Sequence, residues 1–94
     1  MDTTRSYLVR VRAYCGPVYV ATVPGSRPIR TAQSEASFEA GVEALAFRID
    51  RRARSQVRPA SVEEIDAGLR SVDAPTPRTQ QLETRWFVLT LFPN

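Results

Sequence analysis

The stretch Thr31–Arg52, TAQSEASFEAGVEALAFRIDRR, decides the fold. Phe38, Val42, Leu45 and Ile49 follow one another at intervals of four, three and four, a single apolar stripe at the helical period. The stretch reads as one long amphipathic helix entered from a strand. Ser34 is a good N-cap residue, Glu35 suits the positive end of the helix dipole, and the helix is expected to run to about Arg52. Gly41 costs up to about 1 kcal/mol against alanine inside a helix, so close packing is its expected reason. Phe47 falls opposite the stripe, beside Ala40, Ala44 and Arg51. An aromatic there is either covered by another element or is a contact residue.

A helix with one apolar stripe needs a sheet or another helix to cover it, and the flanking sequence supplies strands. Tyr7, Val9, Val11 and Ala13 alternate with Leu8, Arg10, Arg12 and Tyr14, a half-buried strand with an arginine-bearing outer side. Cys15-Gly16-Pro17 is a turn, and Val18–Val23 returns as the second arm of a hairpin. Pro24-Gly25-Ser26 breaks that strand, and Ile29–Ala32 is long enough for a short third one. Past the main helix, Ser61 and Glu64 form a capping box. They open a short second helix to about Ser71, with Val62, Ile65, Leu69 and Val72 as its stripe and Gly68 weakening it. Asp73–Gln81, with two prolines and no periodicity, reads as a loop. Arg85–Phe92 is apolar on both faces, the pattern of a strand inside a sheet. The fold class expected is α+β, one domain over residues 1–94. It has an antiparallel sheet of three to four strands, the long helix across one face and the short helix beside it. The C-terminal strand is inserted centrally.

Composition narrows the chemistry. The chain has one cysteine, no histidine and 13 basic residues, all arginine, for a net charge of +3. Without histidine the usual general base and the commonest metal ligand are missing. One cysteine builds neither an internal disulfide nor a cysteine metal site. Glu63, Glu64 and Asp66 read as a helix start and solvated face, and the scattered glycines form no phosphate loop. The expectation is therefore no catalytic residues, no cofactor, no metal and no enzyme. Arginine in place of lysine fits bidentate recognition of phosphate or carboxylate, but the alanine-rich composition points rather to a genome rich in G and C. No apolar run approaches the roughly 20 residues of a membrane span, and the N-terminus lacks a signal-peptide pattern. A cytoplasmic protein without membrane contact is expected.

Two residue sets stand out for binding. Arg48, Arg51, Arg52, Arg54 and Arg58 form the densest charge cluster, placed where the main helix ends; with Phe47 they have the composition of a protein-binding hot spot. Cations also favour a helix C-terminus by about 0.3–1 kcal/mol each, so part of the cluster has a structural reason. The second set is Arg10, Arg12 and Tyr14 on one strand face, with Tyr19 on the neighbouring strand. Basic and aromatic side chains on an open sheet are suited to single-stranded RNA or DNA.

The segment 18–45, VYVATVPGSRPIRTAQSEASFEAGVEAL, resembles the core of HicB-type antitoxins, which imply a nucleic-acid-binding module. It departs from them at Arg27-Pro28 and Gln33-Ser34, which stand where that family has Gly-Cys and Gly-Asp pairs. The chain also lacks a helix-turn-helix or ribbon-helix-helix segment. In size and layout it is similar to small phage-encoded anti-CRISPR proteins, single α+β domains without catalytic residues. That resemblance implies a monomeric or homodimeric phage or mobile-element inhibitor. Its partner would be a host nucleic-acid-handling protein complex, such as a CRISPR effector, blocked stoichiometrically.

Overall fold

A computed structural model describes residues 4–26, 30–70 and 81–92. Its elements are β1 (Arg5–Tyr14), β2 (Val18–Val23), β3 (Arg30–Ser34), α1 (Phe38–Ile49), β4 (Arg54–Pro59), α2 (Val62–Arg70) and β5 (Gln81–Phe92). The strands form one antiparallel sheet in the order β3-β2-β1-β5-β4. The class is α+β as expected, but the sheet has five strands rather than three or four.

The hairpin of β1 and β2 turns through Cys15-Gly16-Pro17, where Gly16 has φ 151°, a region that glycine reaches without a Cβ penalty. Alternation along β1 sets two faces. Val9 and Val11 are fully buried on one side with Ala21, Leu89, Leu91 and Phe87. α1 lies across that side, its Val42 and Leu45 fully buried and Phe38 and Ile49 packed at the rim of the same core. The apolar stripe therefore does what its period implies. Gly41 also has its packing reason: a Cβ there would sit 3.3 Å from the carbonyl oxygen of Tyr19.

The helix is shorter than the sequence suggests. Residues up to Ser34 are held in β3 by pairing with β2, Ser34 opposite Tyr19, so the backbone there is committed to the ladder. The N-cap is Ser37, whose hydroxyl accepts the Ala40 N–H at 3.0 Å. At the other end Asp50 is extended, so Arg51 and Arg52 lie in a turn beyond the helix.

The strand missed by sequence is β4, RSQVRP, in which only Val57 reaches the core. An edge strand needs one partner and one inward residue, and its arginines and proline are the features that discourage further pairing. β5 is interior, between β1 and β4, and starts four residues earlier than its apolar pattern. Gln81, placed in the expected loop, is its first residue; the rest of the loop, with Ser71 and Val72 of the expected second helix, lies outside the described residues.

α2 does not lie beside α1. It packs on the other face of the sheet, where Gly68 sits against Leu8 so closely that a Cβ would be 2.1 Å from Leu8 Cδ2. Gly68 is thus the contact point of the helix as well as a cost to it. Among the described residues no helix is long and apolar enough to cross a membrane.

Candidate functional site

Antiparallel pairing brings distant arginines to one end of the sheet. Arg5 pairs with Leu91 and Arg54 with Phe92, so the starts of β1 and β4 are level; Arg30, opposite Val23, begins β3 further in along the sheet. The C-terminus of α1 joins them, tied by a 3.0 Å ion pair from Arg5 to Asp50. Arg5, Arg48, Arg51, Arg52 and Arg54 therefore share this end, Asp50 bonding Arg5 and the Arg52 N–H, and Arg30 joins them through the cleft it lines with Arg48. At the far end lie Glu35, Glu39 and Glu83, with Arg85 paired to Glu83, while Arg58 pairs with Glu64 midway along the sheet edge. The chain is polarised along its strands.

Phe47 is not covered. It is 61% exposed, and the Arg51 guanidinium carbon lies 5.7 Å from its ring centroid. On the opposite side of α1, a cleft of about 310 Å³ between the helix and β3 is lined by Arg30, Thr31, Leu45, Arg48 and Ile49. Arg30 is held over Tyr7, donating to its hydroxyl at 3.2 Å. The Arg52 N–H bonds the Asp50 carboxylate at 3.1 Å. The cluster expected from sequence therefore divides. Arg51 stays with Phe47, and Arg48 and Arg52 flank it at the end of α1. Arg54 turns to the sheet face opposite α1 beside Phe92, and Arg58 is four residues up β4, roughly 13 Å from Arg54, engaged with Glu64. In its place the fold brings in Arg5 and Arg30, which no sequence spacing connects to α1.

The second expected set also changes. Arg10, Arg12 and Tyr14 share the face opposite α1, but Tyr19 does not join them. Tyr19 pairs with Ala13, an α1-side residue, and packs against Phe38 at a tilt, ring centroids 4.7 Å apart. The aromatic partner on the arginine face is Trp86, opposite Arg10 in the ladder and 5.8 Å from its guanidinium carbon. Burial first, and then the charge of Arg12, lowers the Arg10 pKa, with Tyr14 acting the other way. The signal for Trp86 was its place in β5, alternating with Phe87; what sequence lacked was the register that sets it against Arg10.

Cys15 is exposed in the hairpin turn. Among the described residues no group of three or more His, Cys, Asp or Glu side chains is placed to hold a metal ion. In comparisons with known proteins, no family model, no curated protein and no solved structure matches the chain.

Proposed function

We propose that this protein is a non-enzymatic inhibitor from a phage or mobile element. It docks its arginine end on an acidic surface of a host nucleic-acid-handling complex, in the manner of anti-CRISPR proteins, and blocks it stoichiometrically. The observation that supports the reading is the gathering of Arg5, Arg48, Arg51, Arg52 and Arg54 where α1 ends, with Phe47 exposed on that helix. An exposed aromatic under an arginine suits a protein surface, and a cleft with a floor of Leu45 and Ile49 and arginine walls adds a second foothold on the same helix. The like charge would steer the encounter with an acidic partner and exclude basic ones. With neither histidine nor lysine in the chain, binding rather than turnover is what its side chains are equipped to do.

The test uses a purified CRISPR effector–guide complex. The protein should co-elute with it and stop target cleavage at equimolar ratio. Arg48→Ala, Arg51→Ala and Arg52→Ala together should abolish both effects while the thermal midpoint stays within about 4 °C, the shift of roughly 1 kcal/mol in a domain this size. Undiminished capture by the triple variant, or no capture by the unmodified protein, overturns the reading.

A further inference from the structure

Three side-chain polar atoms are closed off from solvent without a hydrogen-bond partner among the described residues: Arg10 Nε, Arg12 Nε and Thr84 Oγ1. They come from two strands far apart in sequence, yet they fall together. Arg12 is directly opposite Thr84 in the β1–β5 ladder, and Arg10 is the next residue of the same face, opposite Trp86. Buried polar groups are normally satisfied, and three unmet ones in one place call for a common partner. Two guanidinium groups side by side also repel each other unless an anion lies between them.

We infer that Arg10, Arg12 and Thr84 form a phosphate-binding site on the sheet face opposite α1. The site lies on a different surface from the arginine end, and its reading does not depend on the proposal above. The chemistry selects the ligand class. Two arginines on one face of a strand stand about 7 Å apart, a spacing that a tetrahedral oxyanion bridges with separate oxygens. Guanidinium forks match phosphate bidentately, and the Thr84 hydroxyl supplies a further donor. Reaching the Nε–H edges requires the two side chains to part, a smaller opening for a compact oxyanion than for a broad acidic protein surface. Trp86 beneath Arg10 holds the guanidinium plane in place through the cation–π contact. Tyr14, on the same face, offers a ring beside the site. The phosphate can arrive free, on a nucleotide or within a single strand.

Trp86 is the chain's one tryptophan and contacts Arg10, so its emission carries a signal from this site, and the Arg12 and Thr84 variants tie that signal to it. Inorganic phosphate, adenosine monophosphate and a short oligothymidine are titrated separately at low salt. Saturable change in Trp86 emission is expected, weakened about tenfold or more by Arg12→Gln and about fivefold by Thr84→Val, and unaffected by Arg48→Ala. An oligothymidine that binds more tightly than phosphate, with a log–log salt slope near −0.7 per phosphate contacted, makes the source a strand. Equal affinities make it a lone phosphate. In the unmodified protein, the arginine Nε–H signals of a proton–nitrogen correlation spectrum should shift with the same midpoint, which frees the test from variants that fold poorly. The site is overturned if none of the three ligands moves either signal, or if Arg12→Gln responds as the unmodified protein does.

Discussion

Arg58 on β4 grips Glu64 on α2 with two parallel bonds, Nη1 to Oε1 at 2.8 Å and Nη2 to Oε2 at 2.6 Å. Glu64 Oε1 also accepts the Ser61 N–H at 2.9 Å, and its own N–H donates to Ser61 Oγ at 3.2 Å, completing the capping box. The pair fastens the start of α2 to the sheet edge. It gives Arg58 a structural duty that removes it from the partner surface.

The pH dependence of this pair follows from its chemistry. The Arg58 bonds, then the Ser61 N–H, hold the Glu64 carboxyl down at about 2 from an ordinary 4.5. Above pH 4.5 the carboxylate is ionised folded and unfolded, and its stabilisation is complete. As pH falls from 4.5 towards 2 the unfolded chain takes up the proton first, so the contribution declines, and below 2 it is gone. The difference in thermal midpoint between the unmodified protein and Glu64→Gln should therefore be constant near neutrality and close across that window.

Gly68 and Leu8 should behave as a coupled pair. Alanine in place of helical glycine gains up to about 1 kcal/mol of propensity, but the new Cβ would displace Leu8 Cδ2. Gly68→Ala alone is expected to destabilise by about 1 kcal/mol, as overpacking outweighs propensity. With Leu8 already reduced to alanine, the same change should stabilise by about 0.5–1 kcal/mol. Urea unfolding of the four proteins of the cycle measures the coupling, and additive effects would sink the packing assignment.

Two tyrosines separate the faces. Tyr19→Ala removes a half-buried ring packed against Phe38 and should cost about 2 kcal/mol. Tyr14→Ala, on the other face, removes a half-buried ring outside the core cluster and should cost less, about 1 kcal/mol. Similar losses for both would contradict the face assignment.

The start of α1 is equally open to test. Ser37→Ala removes the N-cap acceptor of the Ala40 N–H and should cost about 1 kcal/mol. Ser34→Ala, in β3, removes only a hydroxyl that accepts the Ala36 N–H at 3.1 Å and should cost less than half as much, about 0.3 kcal/mol. Chemical denaturation of the two variants distinguishes a helix that begins after Ser37 from one that begins after Ser34.

What the sequence by itself determined is what local periodicity encodes. The β1–β2 hairpin, the Phe38–Ile49 stripe, the Ser61–Glu64 cap and the doubly apolar C-terminal strand are each written within about a dozen residues, because side-chain direction repeats every 2 residues in a strand and every 3.6 in a helix. The tertiary structure alone decided register and face. RSQVRP becomes a strand because β5 offers it a hydrogen-bonding edge, not because its own pattern demands one. α2 crosses to the second face because Gly68 fits Leu8 there. The arginine run splits because Arg58 finds Glu64, while Arg5 and Arg30 arrive from other strands. Arg12 meets Thr84, 72 positions along the chain, only because the β1–β5 ladder sets them opposite each other, a one-residue choice that no periodicity specifies.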